Sequence, residues 1–179
     1  MDNVFDIVLE KDEQIIETFK PNKFKLFFKS IFAWTLVLFS FLIPLALGMF
    51  DVEGGMDFNS QTAVYLLIPI GIFVICEVVY ILFLNMYYKK TVYAYTNKRL
   101  LIRTGVIGVD YKSLDLKSVG AMDVYVSLFD KLLRKNTGTL RFGSMSSPMN
   151  SSASFYQFAH IEKPYEVYKN IKEYKGTLD

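Results

Sequence analysis

Residues 30–50 read SIFAWTLVLFSFLIPLALGMF, which is 21 residues without a charged side chain. A helix needs about 20 apolar residues to cross the hydrocarbon core of a bilayer. A second apolar block covers residues 62–88 and contains a single charged residue, Glu77. Blocks this long and this poor in charge are more typical of membrane spans than of buried core helices. We therefore predict two transmembrane helices, over 30–50 and 62–88.

The basic residues around these blocks predict their orientation. Four lysines lie within the ten residues before the first block, and Lys89 and Lys90 follow the second. The connecting loop 51–61 has three acidic residues and no basic one. Lys and Arg are enriched on the cytoplasmic side of membrane proteins. We therefore predict a multi-pass protein of the plasma membrane with an external loop and both termini in the cytoplasm. A signal peptide is disfavoured, because the segment 1–29 before the first block is long and acidic.

Glu77 is the most unusual residue of the two blocks, because an ionised carboxylate near the bilayer centre is costly. At about 1.5 Å per helical residue, Ser40 lies at a similar depth in the first block. Tyr80 lies one turn along from Glu77 on the same face. We predict an intramembrane polar contact in which a protonated Glu77 bonds to Ser40, to Tyr80 or to another subunit. An ion path is disfavoured, since two helices cannot enclose a pore.

The pattern of apolar residues changes after Lys90 to an alternation with a period of two, which is typical of β-strands. We predict that residues 89–179 form one mostly β domain on the cytoplasmic side. The predicted strands are TVYAYT at 91–96, RLLIRTG at 99–105, VDYKSLDL at 109–116, a run at 118–126, TLRFGS at 139–144 and a final run at 154–161.

Two helices are predicted inside this domain. Ser127 and Asp130 have the spacing of a capping box, which predicts a short helix from Ser127. Pro164 is favourable in the first turn of a C-terminal helix. The residues that recur after it at helical spacing predict an apolar face that packs on the core. They are Val167, Tyr168, Ile171 and Tyr174.

The order of several short motifs resembles a known family. Residues 93–119 read YAYTNKRLLIRTGVIGVDYKSLDLKSV, with a Tyr-x-x-Thr-x-x-Arg-Leu hairpin from Tyr93, Arg-Thr-Gly-Val-Ile at 103–107 and a Leu-Asp-Leu run. Pro-x-x-Val follows at 164–167, and an acidic segment with Glu13 leads into the first apolar block. This order resembles the bacterial pleckstrin-homology (PH) domain membrane proteins of the YdbS-like family. The resemblance implies a strongly bent β-sheet or barrel capped by the C-terminal helix, and it implies little about function.

Basic residues follow the second block closely. Residues 91–179 hold 13 Lys/Arg and 8 Asp/Glu, a net charge of +5, which is compatible with an anionic leaflet. We predict a candidate site for anionic headgroups there. The alternatives are that these residues only set topology and solubility, and that Arg99 makes a structural hydrogen bond. The candidate residues are Lys89, Lys90, Lys98, Arg99 and Arg103.

Several functions are disfavoured by the motifs that the sequence lacks. A second basic group has interleaved aromatic residues, but no nucleic-acid-binding motif accompanies it, so nucleic acid is not a predicted partner. One cysteine and one histidine cannot form a Cys/His metal cluster, and neither a nucleophile elbow nor a phosphate-binding loop is present. We predict no enzyme activity, no metal and no cofactor. The residues of the second basic group are Lys131, Arg134, Lys135 and Arg141.

We therefore predict an interaction or scaffolding module attached to the lipid bilayer at its inner leaflet. It would form a homo-oligomer or bind a membrane-protein partner through a sheet surface or edge. Two alternatives stay open. The module could sense anionic lipid headgroups, or it could be an accessory subunit of a larger membrane complex whose helices contact Glu77.

Overall fold

The computed structural model of the protein describes residues 4–47, 60–132, 136–144 and 156–177. Within these ranges, the residues from 1–25 and 86–179 form one compact unit, and those from 26–85 form a second. We call the first unit the sheet domain and the second unit the helix pair. Residues 51–59 of the predicted external loop lie outside the described residues. Arg134 and Lys135 of the second basic group also lie outside them.

Two long helices follow the predicted apolar blocks. Helix α1 covers Lys23–Leu47 and helix α2 covers Ser60–Lys90. The segments Lys23–Ile43 and Leu67–Lys90 are long and apolar enough to cross a membrane, with mean hydropathies of 2.1 and 2.7. In the most apolar 18-residue stretch of each segment, only 6% is buried within the described protein. The core helix of a soluble protein buries a much wider apolar face.

The sheet domain contains two antiparallel sheets, in agreement with the fold that the resemblance implies. One sheet has the strand order β1-β2-β3-β4, and the other has the order β5-β6-β7. The predicted strands after residue 90 are confirmed, and their observed ends lie within two residues of the predicted ones. The strands are β1 Ile15–Phe19, β2 Val92–Thr96, β3 Arg99–Thr104, β4 Asp110–Asp115, β5 Val119–Tyr125, β6 Thr137–Ser144 and β7 Tyr156–Glu162.

Short helices connect and close these sheets. A 3₁₀-helix at Leu116–Ser118 joins β4 to β5, α3 at Leu128–Leu132 joins β5 to β6, and α4 at Pro164–Gly176 follows β7. The predicted capping box of α3 is confirmed, because the Ser127 hydroxyl and backbone N–H both donate to Asp130 Oδ2, at 2.6 and 3.0 Å. The capped helix brings Asp130 to a fixed position between β5 and β6.

The two long helices are inserted in the chain between β1 and β2. These strands are antiparallel neighbours, with Phe19 opposite Tyr93. Helix α1 begins at Lys23, shortly after β1 ends, and α2 ends at Lys90, shortly before β2 begins. Both helices therefore connect to the same end of the sheet, which we call the helix-proximal end. The start of α1 is capped by Asn22, whose Oδ1 accepts the Lys25 N–H at 3.0 Å.

The main core lies between the two sheets and α4. The predicted apolar face of α4 is confirmed, since Val167 and Ile171 are buried in this core and Tyr168 and Tyr174 pack against it. Aromatic rings from both sheets meet in its centre. Phe158 stacks on Tyr93 with ring centroids 5.1 Å apart and meets Phe142 edge-on at 4.9 Å.

The N-terminal segment forms a second cluster on the other side of the first sheet. Phe5 is fully buried there against Val92, Ala94 and Leu101. The sequence analysis assigns no secondary structure to residues 1–29, whereas the structure has β1 within this range and places the segment in the sheet domain. The domain therefore includes a segment on each side of the two helices, and the predicted start at residue 89 omits the first of them.

Candidate functional site: an edge-strand groove and the predicted basic residues

The predicted basic residues do not form one group. Arg103 lies opposite Val92 at the helix-proximal end. Lys98 and Arg99 lie in and after the β2–β3 turn, at the opposite end of the sheet, which we call the distal end. At about 3.3 Å per strand residue, the five residues of β2 separate the two ends by roughly 16 Å. Lys89, Lys90 and Arg103 are the members at the helix-proximal end.

Arg99 makes structural contacts at the distal end. Its Nε donates to Glu13 Oε1 at 3.0 Å, and its Nη2 donates to Glu13 Oε2 at 2.8 Å. Nη2 also donates to the Val8 carbonyl at 2.7 Å. This is the structural hydrogen bond that the sequence analysis weighed for Arg99. Because the Arg99 guanidinium already binds the Glu13 carboxylate through two hydrogen bonds, few of its N–H groups can bind an anionic ligand.

Glu13 is buried, with its side chain inaccessible to solvent. Burial by itself would raise the pKa of Glu13, but hydrogen bonds from Arg99, the Glu10 N–H and the Thr96 hydroxyl outweigh it and lower the pKa to about 2. The Thr96 hydroxyl is 2.7 Å from Glu13 Oε1. These contacts join the N-terminal segment to the β2–β3 turn. Lys98 extends the network with an exposed ion pair to Glu10 at 3.2 Å.

The helix-proximal basic residues also contact the protein. Lys90 Nζ donates to the carbonyls of Val106 and Ile107 at 2.6 and 2.9 Å. Arg103 has a buried Nε with no hydrogen-bond partner in the described part of the chain. A cleft of about 490 Å³ lies at the same end, lined in part by Lys20, Lys23 and Tyr88. This cleft is not apparent from the sequence, because its residues come from three distant segments of the chain.

A buried ion pair joins α1 to α3 at the helix-proximal end. Lys25 Nζ lies 2.5 Å from Asp130 Oδ2, and the two side chains are 10% and 2% exposed. The Thr137 hydroxyl donates to Asp130 Oδ1 at 2.5 Å. Burial opposes ionisation of Asp130, but the hydrogen bonds from Lys25, Ser127 and Thr137 lower its pKa.

Within the described residues, neither Ser40 nor Tyr80 is a hydrogen-bond partner of Glu77, and a contact with another subunit stays a prediction. Both carboxyl oxygens of Glu77 are buried without a hydrogen-bond partner among the described residues. The Ser40 hydroxyl donates to the Val37 carbonyl of its own helix at 2.6 Å, which is a common arrangement for serine in an apolar helix. The Tyr80 ring packs on Trp34, with centroids 5.4 Å apart.

A second pocket of the sheet domain is the groove between β5 and α4. Among the described strands, β5 is paired only with β6, so its other edge is open. The groove has a volume of about 340 Å³ and lies beside the first half of β5. Met122 and Tyr168 give it apolar walls, while Lys172 and Lys175 come from the last turns of α4. We call it the β5–α4 groove.

The two lysines of the groove differ in what they contact. Lys175 Nζ donates to the Val119 carbonyl at 2.6 Å, so it fixes the end of α4 on the start of β5. Lys172 Nζ lies 5.8 Å from the centre of the Tyr168 ring, which leaves its charge at the groove surface. An edge strand offers alternate backbone N–H and C=O groups to an added strand. The groove thus combines backbone pairing, an apolar wall and positive charge.

The described residues hold no group of three or more His, Cys, Asp or Glu side chains with the geometry of a metal site. The strand edge beside the groove is suited to recognition of an extended segment. Sequence reasoning missed this groove because its two sides, β5 and α4, are about 50 residues apart in the sequence. The sequence indicates the alternating pattern of β5 and the apolar face of α4, but it does not indicate that the two elements lie side by side.

Comparison with known protein families found a match over most of the chain. The profile of a family described as Bacterial PH domain matches residues 33–175, which is well over half of the chain. The chain belongs to the bacterial PH domain family. The match includes most of both long helices and the sheets from β2 onward, whereas β1 and the segment before it lie outside the match. Searches of curated proteins and of solved structures found no significant match.

Proposed function

We propose that this bacterial PH protein is a membrane-anchored interaction module of the YdbS-like kind. Its two long helices cross the plasma membrane, and both ends of the chain and the sheet domain lie in the cytoplasm. The sheet domain binds an extended segment of a protein partner, or of a second copy, along β5 in the β5–α4 groove. No catalytic step is part of this proposal.

The strand pairing supports the two-helix anchor. Because β1 and β2 are neighbours, the start of α1 and the end of α2 must lie on the same side of any membrane that the helices cross. Lysines precede α1 and end α2, which favours the cytoplasm for that side. The largely unburied apolar side chains of both helices are suited to contact with lipid.

The open edge of β5 is the observation that carries the binding proposal. An added strand gains main-chain hydrogen bonds from the edge, and the neighbouring side chains supply selectivity. Lys172 favours a segment with an acidic residue, and Met122 with Tyr168 favours an apolar residue next to it. Attachment to the membrane raises the local concentration of partners in the same membrane, so a weak contact suffices.

Photo-crosslinking in the membrane tests this function. A photoreactive amino acid in place of Met122, which lines the groove from β5, is expected to give a defined adduct with the partner or with a second copy. Lys172→Glu should reduce the adduct. Lys169→Glu makes the same charge change one turn away, outside the groove, and should leave the adduct unchanged. Absence of an adduct, or equal effects of both variants, would contradict binding in the groove.

Recognition of anionic headgroups is a second candidate function, favoured by the cleft at the helix-proximal end. Lys20 and Lys23 line this cleft beside the last turn of α2. Thermal unfolding of the full chain in nanodiscs should then be shifted upward when phosphatidylglycerol is added to phosphatidylcholine. Lys20→Gln with Lys23→Gln should remove the shift, whereas Lys98→Gln at the distal end should not. The same shift in all variants would exclude the cleft as the site.

An accessory subunit of a larger membrane complex is a third candidate, favoured by Glu77, whose buried oxygens have no hydrogen-bond partner in the part of the chain that the structure describes. A carboxyl without a donor in an apolar helix pair is costly unless another molecule supplies one. Glu77→Leu should then shift the protein from a large to a small species on native gels. Glu77→Gln keeps hydrogen-bonding capacity and should retain more of the large species. Unchanged migration of both variants would contradict this role.

A further inference from the structure

Besides Ile7 of the N-terminal segment, which is 88% exposed, two large apolar side chains of the described sheet domain are more than 80% exposed. Ile107 in the β3–β4 loop is 83% exposed, and Leu128 at the start of α3 is 82% exposed. They belong to loops that are distant in sequence. Single exposed apolar residues are common on protein surfaces, so exposure alone does not assign a role to them. The informative observation is that Lys25 and Lys90, which belong to the sheet domain, bond to the chain at or within two positions of these two residues.

The loop of Ile107 is fixed to the end of α2. Lys90, the last residue of α2, donates from Nζ to the carbonyls of Val106 and Ile107 itself. The loop also has a defined backbone shape, since Gly105 has a φ of +151° and a Cβ there would lie 2.2 Å from the Gly108 carbonyl oxygen. Ile107 is therefore held at the level where α2 ends.

The loop of Leu128 is fixed to the start of α1 in a similar way. Lys25, in the first turn of α1, donates from Nζ to Asp130, two residues after Leu128. Asp130 is itself fixed by Ser127 and by Thr137. Each lysine thus connects one long helix to a loop that presents an exposed apolar side chain at the helix-proximal end.

We propose that Ile107 and Leu128 insert into the interfacial region of the inner leaflet beside the two helices, so that lipid covers both side chains. This inference rests on the membrane anchoring of the proposed function. Apolar side chains next to lysines are suited to the boundary between headgroups and acyl chains. With the helices, they would fix the orientation of the sheet domain on the membrane. The first half of β5 would then face the cytoplasm, because the preceding 3₁₀-helix contacts the distal turn through the Leu116 N–H and the Lys98 carbonyl, 3.0 Å apart.

Fluorescence of single labelled cysteines in the full chain tests this proposal. The chain is reconstituted in vesicles of equal parts phosphatidylglycerol and phosphatidylcholine, and an environment-sensitive dye is attached to Ile107→Cys or Leu128→Cys in a Cys76→Ser background. Lys117→Cys, exposed in the 3₁₀-helix near the distal end, is the matched aqueous control. We expect a blue shift at both test positions, and a loss of emission when the vesicles contain a lipid with a shallow quencher. The control should show neither.

The native cysteine separates failure of this inference from failure of the anchor. Cys76 is an exposed residue of α2, and a dye attached to it in the otherwise unchanged chain should be quenched by a deep quencher lipid. Quenching at Cys76 with control-like emission at 107 or 128 would overturn the interfacial loops and leave the anchor in place. No quenching at Cys76 would overturn both. A blue shift at 107 or 128 without lipid quenching would mean that a protein surface covers the side chain, which also overturns the proposal.

Discussion

Glu13 connects a segment that precedes the two helices with a turn that follows them. Its carboxylate accepts hydrogen bonds from Arg99, from Thr96 and from the Glu10 backbone. Removal of one partner of a buried charge pair leaves the other charge without compensation, which usually costs more than the pair contributes. Arg99 should therefore be an essential structural residue of the sheet domain, with a smaller role in binding than its charge suggests.

Glu13→Gln should lower the free energy of unfolding of the sheet domain by about 3 kcal/mol, because Arg99 loses its buried counter-charge. Chemical denaturation of the full chain in detergent, followed by tyrosine fluorescence, measures this change. Glu10→Gln is the matched control. The Glu10 carboxylate is 57% exposed and 3.7 Å from Arg99, so its loss should cost less than about 1 kcal/mol. Equal effects would contradict the assignment of Glu13.

The low pKa of Glu13 predicts a dependence of stability on pH. The folded-state pKa of about 2 lies below the ordinary value of 4.5, so the stabilisation is complete above about pH 4.5 and is lost as the pH falls toward 2. Its size is about 3 kcal/mol, from about 1.4 kcal/mol per pKa unit. Unfolding measured between pH 6 and pH 2 should show a smaller acid-induced loss in Glu13→Gln than in the unchanged chain. Parallel curves would contradict the low pKa.

Gly105 is the other position at which the fold depends on one particular residue type. Its positive φ and the close approach of the Gly108 carbonyl exclude a side chain without a backbone shift. Gly105→Ala should destabilise the sheet domain by roughly 1–3 kcal/mol. A Cβ on Gly108 meets nothing within 4 Å, so Gly108→Ala should be close to neutral. Chemical denaturation of both variants measures this difference. Equal destabilisation by the two substitutions would mean that the loop tolerates no added side chain, and it would contradict a specific strain at residue 105.

At the scale of elements, the N-terminal segment is the largest difference between prediction and structure. The sequence did contain a signal, because β2 reads VYAYT and all five residues are buried. Tyr93 and Tyr95 face the main core, whereas Val92 and Ala94 face the other way and need a cover. A strand that is apolar on both faces implies elements on both sides. The acidic composition of residues 1–29 concealed which segment supplies that cover.

Phe5→Ala should destabilise the sheet domain by about 3–5 kcal/mol, the usual cost of removing a fully buried phenylalanine. Ile7 is 88% exposed in the same segment, and Ile7→Ala should change the free energy of unfolding little. Denaturation of the two variants tests whether the segment is part of the fold. A fragment that starts at residue 91 lacks β1 and Phe5, and we expect it to unfold more readily than the full chain. Equal stability of Phe5→Ala and Ile7→Ala would contradict this packing.

Other elements could be predicted because their signals are local. Long uncharged blocks indicate the two helices, alternation indicates the strands after residue 90, and the spacing of Ser127 and Asp130 indicates the cap of α3. The grouping of the basic residues could not be predicted in this way. Lys90 and Lys98 are eight residues apart in sequence, but the path of β2 separates them to opposite ends of the sheet. The ion pair of Lys25 with Asp130 is equally non-local, since it joins residues 105 positions apart.

At the scale of the whole molecule, the insertion of the helices between β1 and β2 is the organising feature. The sheet domain closes only when the segments before and after the helices meet, as Phe19 and Tyr93 do. The two attachment points are therefore adjacent. If the helices cross the membrane, the segments on both sides of the helix pair must lie on the same side of it. This connection makes the topology of the chain a consequence of its sheet pairing.

Cysteine labelling of intact cells tests this central claim most directly. In a Cys76→Ser background, single cysteines replace Lys11 before the helices, Asp57 in the predicted external loop, or Lys117 in the sheet domain. A membrane-impermeant maleimide should label the cysteine at 57 in intact cells and those at 11 and 117 only after permeabilisation. Labelling of 11 and 117 on opposite sides, or of 57 only after permeabilisation, would contradict the account.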